Sequence, residues 1–235
     1  LREYPRHFDA LHMLGVLCSQ EGKQSVAVRL LSAALDVRPD SSEAHSNLGI
    51  ALTKLTRYEE AISQFDYALA VKSSYFDALN NRGIALVGLN RHRDAIASFA
   101  RALAVKPNDA KTHMHQALSY LTVGDLLAGW KEYEWRWELK NFTSPKRTFK
   151  QPLWDGVSAL AGKTVLVHAE QGFGDTIQFT RYVPELAHKG VHVVFEVPKA
   201  LQALLQHSLD GISDVVTRGE PLPDFDLHCP LMSLC

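Results

Sequence analysis

One pattern limits what this chain can fold into more than any other: a segment of similar sequence returns every 34 residues. The three copies read AVRLLSAALDVRPD at 27–40, AISQFDYALAVKSS at 61–74 and AIASFARALAVKPN at 95–108. A fixed period of this length is the signature of a repeat architecture, in which each structural unit packs only on its neighbours. The first half of the chain is therefore predicted to be a stack of helix pairs.

Small and large side chains recur in step with this period. Glycine holds one position of the first helix in three units, at Gly15, Gly49 and Gly83. Glycine in a helix lets a second helix approach closely, and a larger apolar side chain fills the space between neighbouring pairs. The positions predicted to fill that space are Leu31, Phe65 and Phe99.

These positions resemble the tetratricopeptide repeat, since Gly49, Ala61, Phe65 and Ala68 match the small and aromatic positions of that family. The resemblance implies an all-α superhelix over 1–140. Three full repeats are expected near 8–41, 42–75 and 76–109, followed by a degenerate capping repeat at 110–140. Its second helix carries Trp130, Tyr133 and Trp137 at one-face spacing, which is predicted to dock the solenoid onto the next domain, with a sugar or base platform as the alternative.

Repeat solenoids present a groove lined by their first helices, and an extended polypeptide commonly binds there. Asn47 and Asn81 occupy the same place one repeat apart. Repeat-bearing O-GlcNAc transferases hold a peptide backbone with a ladder of such asparagines, so the resemblance implies a peptide-binding groove with a polypeptide partner. The other interpretation is that these asparagines simply hydrogen-bond their neighbours, and Met13 and His115 hold the place in the outer repeats.

The rhythm changes after residue 140. Residues 141–163 carry prolines and glycines without a helical period, which predicts a linker, ordered by Phe149 and Trp154. Strands are predicted at 164–169, 191–197, 212–216 and 225–229, with helical segments after the first two. The sequence therefore predicts a partial Rossmann-like α/β domain at 164–235, with a parallel sheet.

The loop after the first predicted strand reads EQGFGD at 170–175. Glycines at the carboxyl end of a parallel strand let a ligand approach backbone amides. The dinucleotide fingerprint fails here because Ile177 holds its third glycine position. Asp175 also has a structural interpretation, as the N-cap of a helix with Gln178 three residues on. His168 and His228 lie at strand ends. Each is as consistent with a half-buried histidine whose hydrogen bonds are satisfied as with a residue of the site.

A wider resemblance covers the whole chain. The runs GWKEYEWRW, PLWDG, HAEQGFGDTIQFTRYVPELAHKG and FDLHCPLMSL are similar to bacterial tetratricopeptide-repeat glycosyltransferases with a heptosyltransferase-like catalytic part of the GT-B type. The α/β part would then be an incomplete N-terminal domain of a GT-B fold.

That resemblance implies a catalytic base at Asp175, which would take a proton from the acceptor hydroxyl. It also implies acceptor binding by His168, Gln171, Gly172 and Gly174. The parent would transfer a sugar from a nucleotide-sugar donor to a protein or glycan, while this part alone would bind no cofactor and would be inactive. The alternative is a noncatalytic interaction scaffold with an α/β docking module.

Composition excludes several classes of protein. Lys and Arg total 25 against 26 Asp and Glu, so no basic field attracts nucleic acid. Three cysteines without metal-ligand spacing argue against a disulfide scaffold and against a structural zinc site, so no metal is expected. The sequence has neither a signal peptide nor an apolar run long enough to span a membrane, which predicts a cytoplasmic protein. Because it starts at Leu1 without Met, we expect a fragment of a longer chain.

Overall fold

The computed structural model describes residues 7–209, 211–212 and 214–235. The chain divides into two compact units, Leu1–Leu139 and Lys140–Cys235. No helix among the described residues is long and apolar enough to cross a membrane. The two units are considered one after the other.

The first unit is helical throughout its described part. Each helix packs against the next, and neighbouring first helices also contact each other, α1 with α3, α3 with α5 and α5 with α7. The helices are α1 Phe8–Gln20, α2 Gln24–Leu35, α3 Ser42–Lys54, α4 Tyr58–Val71, α5 Phe76–Gly88, α6 His92–Val105, α7 Ala110–Thr122 and α8 Leu126–Tyr133. The predicted helix pairs are confirmed, and the first helices of successive pairs form one continuous layer.

The same turn joins the two helices of every pair. Its middle residue adopts a left-handed backbone, with φ between 58° and 84° at Gly22, Thr56, Asn90 and Gly124. The following N–H donates to the carbonyl five residues earlier, for example from Arg57 to Leu52 at 3.0 Å. This bond satisfies a carbonyl that the end of the helix would otherwise leave unpaired. Asn and Thr take a conformation here that glycine adopts without strain.

The glycines of the first helices lie against large side chains, but within a pair rather than between pairs. A Cβ added to Gly49 would lie 2.6 Å from the ring of Phe65, and one added to Gly83 would lie 2.4 Å from the ring of Phe99. Both rings are fully buried. The predicted close approach of the helices is therefore confirmed, while the expectation that Leu and Phe fill only the space between pairs is corrected.

Two histidines connect successive repeats in the same way. His45 contacts the Gln64 side chain and the Pro39 carbonyl, each at 2.8 Å, and its ring stacks on Tyr67. Two repeats further along the chain, His113 contacts Glu132 at 2.5 Å and the Pro107 carbonyl at 2.8 Å. Its ring stacks on Trp135 with centroids 3.9 Å apart. Each histidine therefore ties the loop that precedes its repeat to the second helix of that repeat.

The capping repeat departs from the predicted helix. Its second α-helix ends at Tyr133 and continues as a 3-10 helix, Glu134–Glu138. Trp137 therefore does not continue the α-helical spacing on which the predicted aromatic stripe depends. Trp130 and Tyr133 are in edge contact, with ring centroids 5.3 Å apart.

The second unit contains a parallel four-stranded sheet in its described part. The strands are β1 Thr164–His168, β2 His192–Val197, β3 Asp214–Thr217 and β4 Leu227–Pro230, in the spatial order β3-β2-β1-β4. All three pairings are parallel. The predicted strands are confirmed with shifted ends, although residue 213 of the third lies outside the described residues. Val-rich runs form these strands because their interior positions are buried on both faces.

The segment between β1 and β2 forms two helices rather than one. They are α9 Phe173–Phe179 and α10 Val183–His188, with a 3-10 turn at Thr180–Tyr182 between them. Pro184 lies in the first turn of α10, where its missing N–H is tolerated, but its ring would interrupt a continuous helix. The next helix, α11 Lys199–Ser208, follows β2 as predicted.

The expected linker, residues 141–163, lies inside the second unit. The guanidinium of Arg147 forms an ion pair with the buried carboxylate of Glu196 at 2.6 and 3.2 Å. Leu153 forms a parallel bridge with His228, and the Trp154 N–H donates to the His228 carbonyl at 2.9 Å. This segment is held against the sheet, so it belongs to the α/β unit.

Candidate functional sites

One candidate site is the layer formed by the first helix of each repeat, α1, α3, α5 and α7. In that layer Asn81 donates from its side-chain nitrogen to the carbonyl of Asp77, one turn earlier in α5, at 2.8 Å. The nitrogen of Asn47 lies 2.9 Å from Nε2 of His12 on the preceding first helix. Both side chains remain partly exposed. The structure therefore gives both asparagines bonds within the solenoid, as the second interpretation of the sequence expects, and leaves them on a surface that a partner can reach.

The outer repeats replace these amides with different chemistry. Met13 is 61% exposed on α1, at the place that Asn47 holds on α3. His115 holds that place on α7, where burial lowers its pKa below the usual value and its ring packs near Phe99. The surface of the first helices is therefore apolar at one end, amide-bearing in the middle and imidazole-bearing at the other end.

The loop that follows β1 is the second candidate site. Asp175 lies in the first turn of α9, and its carboxylate accepts a bond from the Gly172 N–H at 3.2 Å. Gly172, not Asp175, is the N-cap of this helix, so the predicted capping box with Gln178 is wrong. The helix begins three residues earlier than that prediction requires, which places the carboxylate at the third helical position. Its side chain is partly exposed.

Neither glycine of this loop is required by the packing of the unit. A Cβ at Gly174 would meet no atom within 4 Å, and one at Gly172 would meet only the Asp175 carboxylate at 3.5 Å. Gly172 has φ −88°, which any residue adopts. The two glycines therefore leave open backbone at the start of α9, where a helix N-terminus favours negative charge.

Gln171 is the strained residue of the loop. Its φ is 60°, in the left-handed region that side chains other than Asn, Asp and Gly seldom adopt. Its N–H donates to the Ser144 hydroxyl at 2.6 Å, and its side-chain nitrogen lies 3.2 Å from the Met232 sulfur. These contacts attach the loop to the segment before β1 and to the end of the chain.

His168 ends β1 just before this loop and is only 2% exposed. Strand alternation places it on the same sheet face as Glu196 and His228. Its Nε2 lies 3.4 Å from Nδ1 of His228, and the Phe149 ring packs near both imidazoles. Burial, together with the positive charge of Arg147, lowers the pKa of His228. The structure brings Asp175 and Gly172 together but places His168 in a covered cluster of aromatic rings.

Sequence reasoning missed the partners of two buried carboxylates in this unit. The Arg147–Glu196 ion pair and the buried carboxylate of Glu170, which accepts from the Met232 N–H at 3.1 Å, both lie next to strand ends. A glutamate inside the apolar run VHVVFEV is the available signal, because a carboxylate is seldom buried without a partner. The sequence does not show which cation supplies that partner, since Arg147 is 49 residues away.

Comparison with known proteins identifies the helical unit. The family model described as "Tetratricopeptide repeat" matches residues 13–75 and 80–128. The chain therefore carries tetratricopeptide repeats, and this part of the sequence-based interpretation is confirmed. No curated protein matches the chain.

Solved structures of MamA share the fold. The crystal structure of MamA is 23% identical with a TM-score of 0.56, over 57% of this chain and 79% of that one. MamA 41-end from Desulfovibrio magneticus RS-1 is 20% identical with a TM-score of 0.54, over 57% and 75%. MamA AMB-1 is 26% identical with a TM-score of 0.50, over 55% and 76%. These matches support a repeat protein and name no glycosyltransferase.

Proposed function

We propose that this chain is a protein–protein interaction scaffold whose first-helix layer binds a polypeptide. The observation that carries the proposal is the stack of tetratricopeptide repeats itself, matched over residues 13–75 and 80–128. Its first helices contact one another in sequence, α1 to α3 to α5 to α7, so side chains from four repeats lie on one surface. A solenoid of this kind buries its core between neighbours and leaves that surface for a partner.

The chemistry of the surface fits an extended peptide. Asn47 and Asn81 each use the side-chain nitrogen within the solenoid, which leaves the carbonyl oxygen to accept a bond from a partner's backbone N–H. Met13 and Leu118, which are 61% and 52% exposed, offer apolar contacts toward the two ends of the layer. When an extended peptide is bound, main-chain hydrogen bonds commonly give affinity and side-chain contacts give specificity.

The test is selection from a displayed library of random 15-residue peptides on the full chain, followed by fluorescence anisotropy with an enriched peptide. Two lost hydrogen bonds of about 0.5–1.5 kcal/mol each predict that Asn47→Ala with Asn81→Ala weakens binding by roughly 5- to 150-fold. Asn108→Ala, an exposed asparagine in the loop before α7, is the matched control and should bind as the unaltered chain does. Enrichment of no peptide would refute the proposal, and equal affinity of the double variant would remove the asparagines from it.

Sugar transfer by the second unit is the second candidate function. It is supported by the geometry of one loop: two glycines that the packing does not require, beside a partly exposed carboxylate at the carboxyl end of a parallel strand. In this proposal Asp175 acts as general base, Gly172, Gly174 and Gln171 receive the acceptor, and a nucleotide sugar is the donor. The half-domain would be Rossmann-like, since β3-β2-β1-β4 is the order of the first four strands of that fold.

His168 is 2% exposed and packs near the Phe149 ring, so in this second candidate it would support the end of the sheet rather than contact the acceptor. The test is turnover of a panel of nucleotide sugars by the protein in its natural length. Asp175→Asn keeps an acceptor for the Gly172 N–H but removes the base, and it should abolish transfer. Asp224→Asn, in an exposed loop, is the control. Equal turnover by both variants would exclude Asp175 as the base.

A further inference from the structure

A cavity of about 200 Å³ lies in the helical unit between α5, α6 and α7. It is bounded by the third and fourth repeats and reaches the first-helix layer at Leu118, which is 52% exposed. Its apolar wall is formed by Ile84, Val87, Phe99 and Leu118, and its polar wall includes His92 and His115. The cavity is therefore a mainly apolar pocket that opens on the surface proposed to bind a polypeptide.

Two histidines of this wall each have an imidazole nitrogen that lacks a hydrogen-bond partner. Nδ1 of His92 and Nδ1 of His115 are both shielded from solvent, and neither has a partner among the described residues. Burial lowers the pKa of His115, so its ring is neutral at pH 7 and carries one donor and one acceptor nitrogen. Buried polar groups are nearly always hydrogen-bonded in folded proteins. The pocket is thus suited to a ligand that is apolar over most of its surface and carries one hydrogen-bonding group.

The preceding repeat shows which group fits this place. Tyr58 holds on α4 the position that His92 holds on α6, 34 residues later, and Gly88 holds the position of Thr122. A Cβ on Gly88 would lie 2.6 Å from the Tyr58 ring, so the phenol lies directly against that glycine. In the next interface a smaller imidazole replaces the phenol. The space that Tyr58 fills in one interface corresponds to the cavity in the other.

The size of the cavity agrees with a phenol ring. An apolar protein cavity of about 150 Å³ accommodates benzene, and this one is about 200 Å³ with an open side. We propose that the cavity binds a tyrosine side chain of the partner polypeptide, with the imidazole of His92 or His115 turning so that its Nδ1 reaches the phenol hydroxyl. This inference rests on the proposed function, since it specifies one side chain of the polypeptide bound there.

The test uses N-acetyl-tyrosinamide and N-acetyl-phenylalaninamide as probes, titrated into the full chain and followed by NMR of ¹⁵N-labelled histidine. The tyrosine probe should shift the imidazole signals of His92 and His115, and the phenylalanine probe should bind about fivefold more weakly because it lacks the hydroxyl. His115→Leu should remove part of that preference, and His207→Gln, an exposed histidine of α11, should leave it unchanged. Equal binding of the two probes would overturn the proposed hydrogen bond.

A second variant keeps the inference falsifiable if histidine loss disturbs the fold. His92→Tyr with Thr122→Gly rebuilds the arrangement of Tyr58 and Gly88 and should fill the cavity with the chain's own phenol. This variant should remain folded and should no longer bind the tyrosine probe. Retained binding would place the probe elsewhere and refute the inference.

The peptide selection separates the two proposals. If selected peptides bind the chain but neither contain a required tyrosine nor compete with the tyrosine probe, the cavity inference fails and the scaffold function stands. If the probe binds while no peptide is enriched, the cavity is confirmed as a site for phenols and the polypeptide function fails.

Discussion

The close contact between Gly83 and Phe99 gives the sharpest test of how the repeats are held together. Replacing Gly83 by alanine adds one methyl group whose carbon would lie 2.4 Å from the ring carbon Cε1 of Phe99. Ordinary contact between two carbons begins about 1 Å further out. Phe99 is fully buried, and its ring borders the cavity between α5, α6 and α7. The added methyl group must therefore push the ring toward that cavity or separate α5 from α6, and either movement disturbs the contact between the two helices.

Two opposing contributions determine the magnitude. Alanine is a better helix former than glycine by about 1 kcal/mol, which favours the variant. Inserting a methyl group into a filled core costs about 1–3 kcal/mol, and a contact this short lies in the upper part of that range. The net expectation is that Gly83→Ala lowers the free energy of unfolding by about 1–2 kcal/mol. A glycine with open space around it should respond in the opposite direction.

The assay combines urea unfolding, followed by circular dichroism, with hydrogen exchange resolved by peptide. Exchange in α5 and α6 should become faster in Gly83→Ala. Gly174→Ala is the matched control, because its methyl group would meet no atom within 4 Å in α9. This control should leave exchange in α9 unchanged or slow it, because alanine stabilises a helix relative to glycine by up to about 1 kcal/mol. Unaltered or greater stability of Gly83→Ala would refute the argument that glycine is present because the helices touch.

Three further predictions concern single contacts. Thr56→Gly should raise the free energy of unfolding by about 0.5–1 kcal/mol. The left-handed backbone at φ 59° costs a side chain about 1–2 kcal/mol, and part of that gain is lost because glycine gives up more conformational freedom on folding. Urea unfolding measures the change, and a loss of stability would contradict the prediction. Glu196→Gln should lower the free energy of unfolding of the second unit by about 2 kcal/mol. This is less than the full value for breaking a buried pair, because Arg147 is 29% exposed. Thermal unfolding measures the change, and a neutral effect would show that the pair contributes nothing. Burial lowers the pKa of folded His115 below 6.5, so the unfolded chain binds the imidazole proton first as the pH falls. Stability should therefore fall as the pH drops through and below 6.5. His115→Gln should flatten that fall, and parallel pH profiles of the two proteins would contradict the assignment.

Periodic packing explains why much of the helical unit could be predicted from sequence. The positions of Gly49 and Phe65 recur 34 residues apart because every repeat solves the same steric problem, so the pattern itself reports the contact. The strands were predictable for a similar reason, since Val-rich runs are typical of strands buried on both faces. In both cases the signal is local or regular, and it does not depend on knowing which distant residue lies opposite.

The candidate sites depend on contacts that leave no such regular signal. The sequence does not show that Arg147 reaches Glu196, because a single long-range ion pair has no period. The position of Asp175 within its helix depended on where α9 begins, and one shifted N-terminus changed its role from N-cap to first-turn acceptor. Helix starts are set by a few hydrogen bonds at the boundary, and sequence patterns locate such boundaries only to within about two to four residues.

The same reasoning indicates where recognition should be sought in a repeat protein. A repeat that copied its neighbour without change would fill every interface equally, and it would leave no site distinct from the others. In this chain Tyr58 and Gly88 fill one interface, whereas His92 and Thr122 leave the next one with a cavity and two unpaired imidazole nitrogens. A buried group without a hydrogen bond costs about 1–3 kcal/mol. A hydrogen-bonding group that enters the cavity would offset this cost, so we expect the specific site at departures from the repeat rather than in the repeat itself.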